Sequence, residues 1–411
     1  MAARFQAPRG TFDILPGEQP ARRRIHVASL ELFERAGYGR IETPAFEDTD
    51  LFVRGVGAGT DIVHKEMFTF TDQGGRSLTL RPEATAAICR AYIEHGMHRL
   101  PQPVKLWAWG PLFRHERPQA GRFRQFNQLD AEVIGSASPL VDAELILMLE
   151  GLLRELGVPG LRLRLSSLGT PESRAAYRDE LRAHLHAHAN DLSPDVRERI
   201  DENPLRAFDA KDEGTQAVMA EAPRMLDRLG EADAEHFAEV RRLLDQAGLA
   251  YELDGTLVRG LDYYTRTVFE FESDRLDAQA ATLAGGGRYD GLVEMLGGPP
   301  TPGCGWAAGI ERILLALEEP PPEPEADVFV AAPEAQSARA FALVRELRGA
   351  GLRAELDLAG RSAKGQMKQA DRIGARRTVI LGDDGSAQVR DMTSGDQREL
   401  DLARAVEELA G

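Results

Sequence analysis

Cysteine is scarce: only Cys89 and Cys304 occur in 411 residues. They lie far apart and without metal-ligand spacing, so a disulfide scaffold is excluded, no metal site is expected, and each reads as a buried, reduced thiol. Long hydrophobic runs are missing too. The best candidate, around Leu145–Leu153, is broken by Glu150 and is too short to span a bilayer. The N-terminus Met1-Ala2-Ala3-Arg4-Phe5 lacks the apolar stretch of a secretory signal, and Pro8 and Gly10 follow at once. These absences predict a cytoplasmic protein with no membrane partner. Positive charge is also in short supply. The net charge of −16 argues against a general nucleic-acid coat protein, which would be basic, but leaves room for an RNA enzyme with a local basic patch. No G-x-x-x-x-G-K-S/T occurs, so no Walker loop holds a nucleotide. No internal repeat is visible.

What is present suits a folded protein of two to three domains, since 43% of residues are hydrophobic and the length allows a large core. The clearest boundary is the run Leu317–Glu325, with four prolines and four glutamates in nine residues. It reads as a stiff, solvated linker, placed at 318–326. Beyond it, at 327–411, strand patterns at Asp327–Ala332, Leu352–Leu356 and Arg377–Leu381 alternate with helical ones at Ala338–Ala350 and Arg361–Ile373, which predicts a small α/β domain. Before it, a helix over Pro20–Ala36 is followed by extended segments at Leu78–Arg81, Val104–Glu116, Arg122–Gly135 and Val258–Phe271. Strands without regular helical alternation favour an α+β fold with an antiparallel sheet over a Rossmann fold. The stretch 171–250 has helical spacing and few strand signals, and reads as a helical insertion dividing a core of 1–170 and 251–317.

The chemistry-bearing residues cluster in the extended segments. On a strand over 122–132, Arg122, Arg124, Phe126, Gln128, Asp130 and Glu132 share one face, and the preceding strand ends with Arg114 and Glu116 on one face. Any one of these alone would be an ordinary surface residue. Together they suggest a grip on a polar, charged ligand, because guanidinium forks match phosphate and carboxylate oxygens. At Ser77–Thr85 a strand runs into a helix with Pro82 in its first turn. There Glu83 is placed either to receive an ammonium or to complement the helix dipole. In Arg259-Gly260-Leu261-Asp262-Tyr263-Tyr264, strand alternation puts Arg259, Leu261 and Tyr263 on one face and Tyr264 on the other. Core aromatics beside a surface charge would look the same. The glycines of Gly285-Gly286-Gly287-Arg288-Tyr289-Asp290-Gly291 allow a close backbone approach to a ligand, or a plain loop. Gly309-Ile310-Glu311-Arg312 presents Arg312 near a helix start.

Taken together these segments resemble the class II aminoacyl-tRNA synthetases and, within them, the histidine–tRNA ligases. The helix followed by Ile41-Glu42-Thr43-Pro44 resembles motif 1, Phe113–Glu116 with Arg122–Phe126 motif 2, and Gly309–Arg312 motif 3. Arg259–Tyr264 and Gly285–Leu292 resemble two blocks peculiar to the histidine enzymes. The resemblance covers essentially the whole chain, in order. It implies the class II antiparallel sheet flanked by helices, a C-terminal anticodon-binding domain, and a homodimer formed through motif 1. It also implies activation of L-histidine with ATP and Mg²⁺, followed by transfer to the 3′ end of tRNA(His). By position, Arg114 would hold the α-phosphate and Arg312 the γ-phosphate, with Glu116 and Arg122 also at ATP. Glu83 and Thr85 would meet the histidine amino group, and Gln128 its carboxylate. Glu132, Tyr263 and Tyr264 would surround the imidazole, and Arg259, with Arg114, would be catalytic. Three positions depart from the family's habit: Ala84 stands for Gly, Asn127 for His, and Asp130 for a small neutral residue, which adds a second carboxylate near Glu132.

The missing basic patch turns up in the last domain. Between 361 and 377 there are six positive residues and one acid, and Lys364, Lys368, Arg372 and Arg376 recur every fourth residue, a positive stripe if helical. Such a stripe is usually a solvated face; in a chain of this net charge it points to RNA. Arg117 and Gln119, in the motif 2 loop, would approach the acceptor end. Two other readings compete. A regulatory synthetase-like subunit of ATP phosphoribosyltransferase typically lacks the last domain and erodes the reactive residues. A synthetase-like RNA sensor would not need an intact arginine set. This chain keeps Arg114, Arg259, Arg312 and the last domain.

Overall fold

The structure is a computed structural model that describes residues 5–57, 59–202, 204–276, 281–317 and 326–410. The expected linker at 318–326 lies outside the described residues except for Ala326. The chain divides into two compact units, 1–319 and 320–411.

The first unit carries strands β1 (Gly39–Arg40), β2 (Phe46–Asp48), β3 (Phe68–Thr71), β4 (Ser77–Leu80), β5 (Val104–Phe113), β6 (Gln125–Ile134), β7 (Leu161–Ser167), β8 (Glu252–Leu253), β9 (Thr265–Ser273), β10 (Thr282–Arg288) and β11 (Gly303–Gly309). Eight of them form one sheet in the order β1-β5-β6-β11-β10-β9-β7-β8, and β2, β4 and β3 form a small second sheet. The six central strands pair antiparallel. Only the two-residue edge strands β1 and β8 pair parallel. Helices Gln19–Ala36 and Pro139–Glu155 cover one face with Ile25, Phe33, Leu145 and Leu149, against Leu129, Ala131 and Val133 from β6 and Phe269 and Phe271 from β9. The period-2 alternation of β6 and β9 thus sends apolar side chains into this core and Gln128, Asp130, Glu132 and Glu270 to the other face.

The stretch 171–250 holds helices Pro171–Ala187, Pro194–Arg199, Glu213–Ala220 and Glu231–Gln246. The first three build their own cluster around Tyr177, Leu181, Leu185 and Ile200. The fourth buries Phe237, Val240 and Leu244 in the main core. Buried Asp142 ties it there: its carboxylate accepts from Arg288 Nε on β10 at 2.8 Å and faces His236 Nε2 at 3.2 Å.

Two expectations are corrected. The run Arg259–Tyr264 is not a strand; it is a bend and turn, and β9 begins only at Thr265. The glycine run is not a loop either. Gly285, Gly286 and Gly287 sit in β10 with antiparallel partners on both sides. Glycine is poor in strands by propensity, so the cause is space. A Cβ on Gly286 would collide with the Gly305 carbonyl and lie 2.7 Å from Trp306 Cβ, and one on Gly285 would lie 2.6 Å from the Arg259 guanidinium.

In the second unit, β12 (Val328–Ala331), β13 (Ala354–Leu356), β14 (Arg377–Leu381), β15 (Ala387–Asp391) and β16 (Gln397–Glu399) form a sheet in the order β13-β12-β14-β15-β16. Its first three strands are parallel, as expected of an α/β domain; β15 and β16 add an antiparallel edge. The helix expected at Arg361–Ile373 runs Ala363–Arg372. Ser362 caps it, and the next residues, with Gly374 at φ 59°, end it before Arg376.

Two glycines therefore respond oppositely to alanine. Gly286→Ala is expected to cost roughly 3 kcal/mol. Gly151→Ala, in a helix where an added Cβ meets nothing within 4 Å, should add about 1 kcal/mol. Thermal unfolding of the two variants reads both signs.

Candidate functional site

The polar face of β6, the ends of β10 and β11 and the turn at 259–264 enclose a cavity of about 330 Å³. Of the residues singled out from sequence, Glu83, Thr85, Arg114, Glu116, Arg122, Gln128, Arg259, Tyr263, Tyr264 and Arg312 all stand on its wall. Strand alternation would have separated Tyr263 from Tyr264. Because that segment is a turn, both tyrosines are buried and both face the cavity, with ring centroids 4.8 Å apart.

The arginines are held by groups that leave charge to spare. Arg312 uses its side chain on backbone carbonyls alone, Gly121 at 3.1 Å and Thr282 at 2.7 Å. Burial, with Arg122 and Arg114 beside it, pulls its pKa down to about 10 despite Glu116. Like charges packed this closely favour an anion between them. Arg114 donates Nε to the Pro82 carbonyl at 2.9 Å, with its guanidinium 5.4 Å from the Phe126 ring centre. Arg122 reaches Glu116 at 3.5 Å. Arg259 pairs with Glu270 from β9 and lies 5.8 Å from the Tyr264 ring centre. Burial works against its charge, but Glu270 and the two tyrosines hold its pKa above the ordinary value.

Glu83, Asp130 and Glu132 form a buried cluster of carboxyls. Glu83 serves the start of a helix and also reaches the cavity. It accepts from the Thr85 and Ala86 N–H groups at 2.9 and 2.8 Å, which caps helix Thr85–Glu94, and it faces the cavity. Pro82 lies outside that helix, whose first residue is Thr85. Glu132 is not on the wall. Its carboxyl stands behind it, accepting from Thr85 Oγ1 at 2.7 Å and from the Tyr289 hydroxyl. Gly305 is glycine because a Cβ there would overlap the Glu132 carboxylate. Burial, opposed by the Thr85 and Tyr289 hydrogen bonds and assisted by Glu83, raises the Glu132 pKa to about 8.

Arg117 and Gln119 are not on the wall. They belong to a tight turn closed by Gln119 N–H to the Arg122 carbonyl at 3.1 Å and its reciprocal at 2.9 Å, with Arg117 exposed. Arg124 also points elsewhere, to the Glu116 carbonyl at 3.3 Å. Asn127 faces Glu311 at 3.0 Å, so that departure concerns the seating of helix Ile310–Ala316. Sequence reasoning missed Glu270 and Tyr289 as wall residues; Asp130, read there as a second carboxylate near Glu132, also stands on the wall. Glu270 was within reach, since it alternates with Phe269 and Phe271. Tyr289 follows the glycine run and carries no periodic signal. Among the described residues no group of three or more His, Cys, Asp or Glu could hold a metal ion. Both cysteines are buried and unpaired.

In the second unit Lys364, Lys368 and Arg372 are exposed on helix Ala363–Arg372, whose opposite face buries Gln366 and Ala370. Among the described residues none of the three cations pairs with a carboxylate, whereas Arg376, beyond the helix, lies 3.9 Å from Asp327.

The family model for histidyl-tRNA synthetase matches residues 10–313, and that for an anticodon binding domain matches 327–411. The chain is 48% identical to a histidine–tRNA ligase of Rubrobacter xylanophilus, covering 96% of each chain. It is also 48% identical to one of Thermosynechococcus vestitus, covering 96% of this chain and 93% of the relative. The apo crystal structure of the S. aureus histidyl-tRNA synthetase superposes with a TM-score of 0.83 at 39% identity, over 99% of this chain and 100% of that one.

Glu132 makes stability depend on pH. Its carboxyl ordinarily titrates near 4.5 and in the fold near 8. Between those values the folded chain keeps a proton that the unfolded chain releases, so stability falls as pH rises, by up to ~1.4 kcal/mol per pH unit. Glu132→Gln should flatten this slope, so the variant's melting temperature gains on the wild type from about pH 5 to about pH 8. A constant difference across that range would contradict the assignment.

Proposed function

The chain belongs to the histidyl-tRNA synthetase family, and on that premise we propose how its residues divide the work. It joins histidine to tRNA in two steps. A carboxylate oxygen of histidine attacks the α-phosphorus of ATP, pyrophosphate leaves, and histidyl-adenylate forms. A hydroxyl at the 3′ end of the tRNA then attacks the adenylate carbonyl, and AMP leaves.

The observation that carries the residue roles is the polarity of the cavity. Arg122 and Arg114 act on Arg312, Glu132 and Glu83 act on Asp130, and Arg114 is felt by Arg312, Asp130 and Glu83 alike. A ligand with a polyphosphate at one end and an ammonium at the other matches that arrangement, with its reacting centre at Arg114. Arg312 takes the γ-phosphate, Arg122 and Glu116 flank the chain of phosphates, and Arg114 takes the α-phosphate. Arg259 covers the approaching carboxylate. Two anions must meet for the bond to form, and these fixed guanidiniums offset their repulsion without reorganising. Glu83 and Thr85 receive the ammonium, Gln128 the carboxylate, and Tyr263 and Tyr264 the ring. Glu132 orients Thr85 and Tyr289 from behind. Mg²⁺ travels with ATP and supplies further neutralisation. Glu116, Glu270 and Glu311 are further wall carboxylates; Glu311 is taken by Arg22 and Asn127, which leaves Glu116 and Glu270, and such an ion needs only one or two.

The tRNA is tRNA(His), met by Lys364, Lys368 and Arg372 in the second unit and by Arg117 and Gln119 near its acceptor end. The protein acts as a homodimer in the cytoplasm. The dimer reading is supported by Val27, Leu30 and Phe46, which are exposed apolar residues in and just after the motif 1 segment.

Purified protein with histidine and Mg-ATP is expected to exchange labelled pyrophosphate into ATP; no exchange would overturn the reading. Arg259→Ala should slow exchange by about 10²–10³-fold with the melting temperature little changed. Neutralising Lys364, Lys368 and Arg372 together should leave exchange intact. It should weaken tRNA binding and flatten the slope of log affinity against log salt by about 2–3 units.

A further inference from the structure

Two of the three buried carboxyls already have their donors; the third does not. Glu83 is occupied by the Thr85 and Ala86 N–H groups, and Glu132 by the hydroxyls of Thr85 and Tyr289. Asp130 is 2% exposed and stands on the cavity wall. Among the described residues, no side-chain or backbone donor hydrogen-bonds its carboxyl, and its neighbours across the sheet are Ala108 and Ala307. The nearby Arg81 is committed elsewhere, to the Pro111 carbonyl at 2.9 Å and the Thr43 carbonyl and hydroxyl at 2.8 and 3.0 Å. A buried carboxylate without donors is costly, and it persists where a ligand completes it.

We propose that Asp130 is a specificity-determining residue that receives the α-ammonium of histidine, beside Glu83 and Thr85. This rests on the reading of that end of the cavity as the amino-acid site. The ammonium fits better than the ring. It brings three donors and a positive charge to a carboxyl that no donor among the described residues occupies, beside Glu83, whose oxygens are already partly taken by the Thr85 and Ala86 N–H groups. The titratable groups facing Asp130 are Glu132 and Glu83 on one side of the balance and Arg81 and Arg114 on the other. Burial, then Glu132 and Glu83, push the Asp130 carboxyl well above the usual carboxylate range in the ligand-free protein. An arriving ammonium reverses that tendency and makes a charge-assisted hydrogen bond.

The test compares wild type with Asp130→Asn in histidine-dependent pyrophosphate exchange. Two competitors are added: histidinol, which keeps the ammonium and lacks the carboxylate, and 3-(imidazol-4-yl)propionate, which lacks the ammonium. The expected result is a rise of about 10–100-fold in KM for histidine and in the inhibition constant of histidinol. The constants for the propionate and for ATP should stay within about twofold of wild type, which also certifies the fold. Asp130→Ser should repeat the pattern and serves if the asparagine variant does not fold. An unchanged KM for histidine, or equal weakening of the propionate, overturns the proposal. A wild type without exchange would instead overturn the family activity on which it rests.

Discussion

The site depends on how closely two strands approach each other and what lies over them. Gly286 on β10 leaves room for the Gly305 backbone and Trp306 of β11, Gly285 leaves room for Arg259, and Gly305 leaves room for Glu132. A side chain at any of these positions would enter the volume that an active-site group occupies. The sheet can therefore be a floor against which charged groups lie flat, rather than a surface from which they project. The loss of strand propensity is offset by neighbours on both sides, since β10 is paired along its length with β9 and β11.

Above that floor, charge is distributed with few internal cancellations. Among the described residues, Arg259 has Glu270, but Arg312 has only carbonyls and Asp130 has no donor. Such an arrangement works against the stability of the empty protein, through raised carboxyl and lowered guanidinium pKa values. The rest of the fold carries that load. The buried Arg288–Asp142 pair and the helices over the opposite face hold the sheet without touching the cavity. Strain of this kind is expected where a ligand, not the protein, supplies the missing partners.

Much of this was legible in the residues and some was not, for physical reasons. The alternation of β6 placed Gln128 and Asp130 together because a half-buried strand forces a period of two. The helix with Lys364, Lys368 and Arg372 was legible because its cations recur every fourth residue, the spacing of one helical face. The conformation of Arg259–Tyr264 was not, since a turn between two regular elements has no period to read. There the alternation argument wrongly separated the two tyrosines. The glycine strand was not legible either. Its cause is a contact with a strand some twenty residues away, and nothing local in three glycines distinguishes a strand from a loop. Glu132 was legible as a carboxyl on the polar face of β6, but not as one standing behind the wall, because that depends on Thr85 and Tyr289 reaching it first.

The Arg312–Arg122–Arg114 cluster has one further consequence. It is rigidly tied to backbone carbonyls and to Glu116, so it does not dissolve when the bond to the α-phosphorus breaks. On the proposed roles, pyrophosphate would be born into the same grip that receives ATP. Activation on such a scaffold would be readily retraced, and direction would come from outside the cavity, from whatever hydrolyses pyrophosphate once it escapes and from the tRNA that consumes the adenylate.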